Sequence, residues 1–123
     1  MPKATDKFFL SLEPRGRIPR LRATHGTIRF DLRNEATVDQ WLITFDNGRV
    51  RVSRNARQPV DTVITTDADA FERLARGEEN LWALLVRGQL IIQGNRPLVM
   101  AFRQLMPQPP GNQGPRLRRR NQP

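Results

Sequence analysis

One histidine, two serines, and no cysteine or tyrosine make up a sparse kit for chemistry in this 123-residue chain. Without cysteine there is no disulfide framework, thiolate nucleophile or thiolate metal site. His25 has no second histidine or cysteine to work with, and its position before Gly26 reads as a loop residue at a strand entrance. Asp67 and Asp69 could serve as paired carboxylates for acid–base or metal chemistry. Lying after a strand and before Phe71, they read instead as the oxygen-bearing start of a helix. Ser11 and Ser53 lack a nucleophile-elbow context, and Gly88 and Gly94 flank a strand rather than form a phosphate loop. No catalytic residue, metal or cofactor is expected, and the chain does not read as an enzyme.

Charge is the stronger signal. The net charge is +9, and 19 of the 21 basic residues are arginine. Arginine suits phosphate and carboxylate geometry, which points to an anionic partner; a GC-rich genome would raise arginine in the same way. Residues 107–123 hold five prolines, four arginines and no acidic residue. Such a segment cannot bury enough apolar surface to order itself, so a disordered basic tail is expected there. Residues 1–106 then form one domain. A second basic stretch, Arg15 to Arg22, carries Pro19 and follows Pro14, and reads as an irregular connector. No apolar run is long enough to cross a membrane, and Met1 to Lys7 leads into too short a run for a signal peptide. A cytoplasmic location is expected.

The elements follow from periodicity. Thr27 to Arg33 alternates as a half-buried strand. Trp41–Asp46 and Arg49–Arg54 flank Asn47-Gly48, the preferred filler of a two-residue hairpin loop. Pairing outward sets Asp46 opposite Arg49, Phe45 opposite Val50 and Ile43 opposite Val52, so Trp41, Ile43, Phe45, Val50 and Val52 share a face. Val60–Thr66 is a fourth strand. A helix follows with Phe71 and Leu74 inward and Gly77 at its end. Leu81–Arg87 is a short helix, Gln89–Gly94 a fifth strand, and Asn95 caps a last helix over Leu98–Met106. A helical turn is also expected around Asp6–Leu12.

The second half carries more apolar surface than one buried stripe requires. Leu81 to Val86 is apolar all round, and Leu98, Val99, Met100, Phe102, Leu105 and Met106 form a wide face. Methionine adapts to irregular shapes, which suits a gap-filled core or a pocket for a flexible apolar ligand. Periodicity alone leaves both open.

Asp61 to Asp67, then Phe71, Leu74 and Gly77, then Gly88-Gln89-Leu90-Ile91-Ile92-Gln93-Gly94-Asn95 and Leu98 look like the sterol carrier protein type-two domain. The hairpin at Asn47-Gly48 also falls where that family has one, and the likeness covers roughly residues 25–106. It implies an α+β fold, a five-stranded mixed sheet with helices packed on one face. It also implies a tunnel that binds fatty acids, acyl-CoA, sterols or phospholipids without catalysis. By that resemblance Trp41, Phe45, Phe71, Leu74, Trp82, Leu85, Met100, Phe102 and Met106 would line the tunnel. Arg116, Arg118, Arg119 and Arg120 would meet an anionic head group or acidic membrane surface. Ile91, where the family's strand is often charged, and the arginine tail depart from the pattern.

Size tests the idea. Leaving a pocket of about 300 Å³ dry and empty costs roughly 7 kcal/mol, which rivals the whole stability of a small domain. A carrier should therefore hold ligand, collapse in part when stripped, or admit water. Two other readings stand beside it. One is the same fold with a filled tunnel, serving as a scaffold for a protein partner or a homodimer. The other, disfavoured because no recognition motif is visible, is salt-sensitive nucleic-acid binding by the arginine tail.

Overall fold

The computed structural model describes residues 3–54 and 57–107. Five strands form one sheet: β1 (His25–Arg33), β2 (Val38–Asp46), β3 (Arg49–Arg54), β4 (Thr62–Asp67) and β5 (Leu90–Gly94), in the order β3-β2-β1-β4-β5. β1, β2 and β3 are an antiparallel meander, β4 joins β1 in parallel, and β5 returns antiparallel to β4. The sheet is mixed, as expected. Among the described residues four α-helices accompany it: α1 (Ala4–Leu10), α2 (Ala68–Ala75), α3 (Leu81–Val86) and α4 (Arg96–Arg103), with short 3-10 turns at Glu13–Arg15 and Pro19–Leu21. None of them is long and apolar enough to cross a membrane.

The hairpin forms in the expected register, with Asp46 opposite Arg49, Phe45 opposite Val50 and Ile43 opposite Val52. Asn47 has φ 56° and Gly48 φ 91°, the positive values that a tight hairpin loop demands. The Gly48 carbonyl also accepts a 2.7 Å bond from Ile18 N–H, which ties the hairpin tip to the basic connector. β2 begins three residues earlier than the alternation suggested, because Val38, Asp39 and Gln40 pair with Arg33, Leu32 and Asp31.

Alternation then sorts the sheet into two faces. Ile28, Phe30, Leu32, Trp41, Ile43, Phe45, Val50 and Ile64 point into one core with the helices. α2 contributes Ala70, Phe71 and Leu74 to it, and α4 contributes Leu98, Val99, Ala101 and Phe102. Among the described residues no helix covers the opposite face. There Arg29 donates twice to Asp31, at 3.0 and 3.1 Å, and Gln40 adds a third bond to the same carboxylate.

Two helix starts behave as their sequence indicates. Asn80 Oδ1 accepts from Trp82 and Ala83 N–H, and Asn95 Oδ1 accepts from Leu98 N–H. The start of α2 differs. Asp67 occupies the cap position without a side-chain capping bond and pairs with Arg33 at 3.3 Å instead. The first helix is also shifted: it spans Ala4–Leu10 rather than Asp6–Leu12.

Gly48→Val tests the hairpin tip. A Cβ there would crowd Arg17 Cγ and the Ile18 carbonyl, each at 3.1 Å, on a backbone that side chains rarely adopt. The variant should lose about 1–3 kcal/mol of stability in urea unfolding, with an unchanged dependence on denaturant.

Candidate functional site

The layer between sheet and helices is the one place where this chain gathers its aromatic residues. Phe9, from α1, is fully buried. Its ring stacks on Trp41 of β2 at 4.5 Å and 11°, and on Phe71 of α2 at 5.3 Å and 8°. Phe30 meets Phe102 at 4.7 Å, and Phe8 meets Phe102 edge-on at 5.8 Å. Two sheet strands, two packing helices and the N-terminal helix thus converge on a single set of rings.

The residues expected to line a tunnel divide into three groups. Trp41, Phe45, Phe71, Leu74, Phe102 and Met106 are buried in this layer. Trp82 and Leu85 are half-buried against it, with the Arg103 guanidinium 6.0 Å from the Trp82 ring. Met100 is a correction. It is 53% exposed, because a helix that turns Leu98, Val99, Ala101 and Phe102 inward carries residue 100 to the opposite side. Arg116, Arg118, Arg119 and Arg120, with nearly all of the expected tail, lie outside the described residues.

Where α2, α3 and α4 meet beside Leu74, Leu81 and Met106, the remaining space is about 10 Å³, no more than one water needs. The apolar space that is accessible lies outside, in an open groove of about 500 Å³ along Leu10, Pro14 and Val52. Phe9 and Trp41 form its floor, and Arg54 lies 4.0 Å over the Trp41 ring. A wider polar cleft of about 960 Å³ runs past Arg33, Asn34, Asp67, Asp69 and Arg73. Among the described residues no group of three or more His, Cys, Asp or Glu could hold a metal.

The residues missed by the sequence reading are Phe8, Phe9 and Glu72. The signal for the first two was faint: Phe8, Phe9 and Leu12 make one short stripe, and all three are buried. Glu72 supplies what α1 lacks. Lys3, at the cap of α1, offers no acceptor, so the Glu72 carboxylate of α2 accepts from Ala4 N–H at 2.9 Å and Thr5 N–H at 3.0 Å. It also accepts from Thr5 Oγ1 at 3.0 Å and pairs with Arg76 at 3.2 Å. Burial alone would raise its pKa. The bonds from Thr5 and Ala4, with the charge of Arg76, outweigh burial and hold it below the ordinary 4.5.

The match to a known family comes from the sequence itself. Residues 9–107 match the SCP-2 sterol transfer family, and the chain belongs to that family. Among solved structures it is similar to the sterol carrier protein domain 2 of Helicoverpa armigera, at 24% identity and TM-score 0.68, covering 84% of this chain and 85% of that one. It is similar as well to palmitated SCP2L2 from Aedes aegypti, at 14% identity and TM-score 0.61, covering 80% and 84%. The same fold recurs within the sec-alkylsulfatase Pisa1 from Pseudomonas sp., at 17% identity and TM-score 0.68, covering 83% of this chain but 16% of that enzyme. At these identities the likeness is one of fold. No curated protein matches the sequence.

Truncations should separate the inward and outward residues. Phe71→Ala should cost about 3–5 kcal/mol in chemical unfolding, whereas Met100→Ala should stay within about 0.5 kcal/mol. Glu72 carries a pH dependence of known sign. A carboxylate held below its ordinary value stabilises the fold above that value, and the contribution fades as pH falls through the lowered pKa. Glu72→Gln should therefore cost about 1 kcal/mol near pH 7, shrinking toward zero in acid, as read by thermal unfolding across pH.

Proposed function

We propose that the protein binds an apolar lipid and passes it on without chemical change. The observation that carries this reading is the layer of stacked rings between sheet and helices, closed where its family is described by sterol transfer. A dry void of acyl-chain size would cost much of the domain's stability, so the ligand-free form of a carrier closes in part or admits water. Six of the nine residues assigned to the site are buried together in that layer. The palmitated state of the Aedes aegypti protein supports an acyl chain as one form of the ligand. In this reading Arg116, Arg118, Arg119 and Arg120 meet anionic head groups, each contributing about 1 kcal/mol near an acidic bilayer. The burial of the chain carries the affinity, and the arginines steer.

The packed rings also favour a second reading, in which the layer stays filled and the domain is a scaffold for a protein partner. A titration divides the two. Full-length protein, stripped of lipid, should bind a fluorescent hexadecanoyl probe saturably and one-to-one, with little dependence on salt. Shortening the probe by two methylenes should weaken binding about tenfold, at about 0.8 kcal/mol for each buried methylene. A cooperatively folded protein that binds none of these probes would leave the scaffold reading standing.

A further inference from the structure

Building on the lipid-binding reading, we propose that α1 is an occupant of the lipid site, and that Phe8 and Phe9 hold the place an apolar ligand takes. Phe9 is the middle ring of a stack whose outer members, Trp41 and Phe71, belong to β2 and α2. Withdrawing it opens a slot between two aromatic walls and leaves the sheet and α2 whole. Phe8 lies 6.2 Å from Phe71 and 5.8 Å from Phe102, so the same withdrawal clears the approach to α4.

The attachment of α1 fits removal. It is a helix of 7 residues, too short to persist in water once undocked. Its polar fastening to the rest of the fold is at one end, where Glu72 accepts from Ala4 and Thr5. The anchors that follow it lie beyond the helix: Glu13 accepts from Val52 N–H at 2.7 Å, and Arg15 donates to the Leu105 carbonyl at 3.1 Å. α1 can therefore swing out while the connector stays attached. The buried ring of Phe9 lies beneath the apolar groove of about 500 Å³, which gives a ligand a place to arrive before the ring leaves. Leu10, at its rim, is 65% exposed.

Displacing α1 lowers the apparent affinity of the native chain in proportion to how seldom the site is clear, and weakening α1 removes that penalty. Full-length, lipid-stripped protein is titrated with the hexadecanoyl probe and followed by hydrogen–deuterium exchange. Phe9→Ala and Glu72→Gln should each bind about tenfold tighter than the native chain. Should Phe9→Ala fail to fold, Glu72→Gln, which leaves every ring in place, carries the comparison. At saturation the amides of α1 should exchange rapidly while those of β1 and β2 stay protected. A native chain that binds as tightly as both variants, or a saturated complex in which α1 is as protected as β1, overturns the proposal and leaves lipid binding intact. Folded proteins that all fail to bind overturn lipid binding itself, and this proposal with it.

Discussion

The structure turns on one ring. Phe9 lies between Trp41 and Phe71 in near-parallel stacks, and each of the three comes from a different element. For the stack to close, β2 must hold Trp41 opposite Phe30, and α2 must carry Phe71 over the same strands. Aromatic pairs of this kind contribute about 0.5–1.5 kcal/mol each beyond the area they bury. The gain is modest for each pair, but the geometry is strict, because stacked rings tolerate little sliding. The position of α1 is thus decided by residues more than thirty places away, and Glu72 completes it by capping a helix that cannot cap itself.

Much of the fold was legible in the residues. Asn47-Gly48 announces its turn because few dipeptides accept two positive φ values, and the alternation on either side fixes the register. Asn80 and Asn95 mark helix starts through local bonds that need no knowledge of the rest of the chain. The core positions of α2 and α4 were readable for the same reason. Met100 was misjudged because a wide apolar face says nothing about which flank meets water. α1 was hardest: its cap is a glutamate 67 and 68 positions away, and its rings find their partners only in three dimensions. The choice between tunnel and filled core was illegible in principle, since an apolar face has one periodicity whether it lines a space or fills it.

The arginine surplus separates once positions are known. Arg29, Arg33, Arg54, Arg73, Arg76 and Arg87 each lie within 4 Å of an aspartate or glutamate, mostly at the surface. Exposed pairs of this sort contribute at most about 1 kcal/mol apiece. Glu79 serves two of them, Arg73 and Arg87, and so links the end of α2 to the turn after α3. Arg33 and Arg54 pair across neighbouring strands, whereas Arg29 and Arg76 pair within their own elements, and the acidic partners of all six are already subtracted in the net +9.

The outer strand of the meander has a consequence for life in a crowded solution. β3 forms one border of the sheet, and the Glu13 carboxylate already takes its Val52 N–H, which leaves fewer backbone donors for any extended chain that drifts past. Arg49, Arg51 and Arg54 stud that border with exposed positive charge. A second molecule offering the same border would bring like charges face to face.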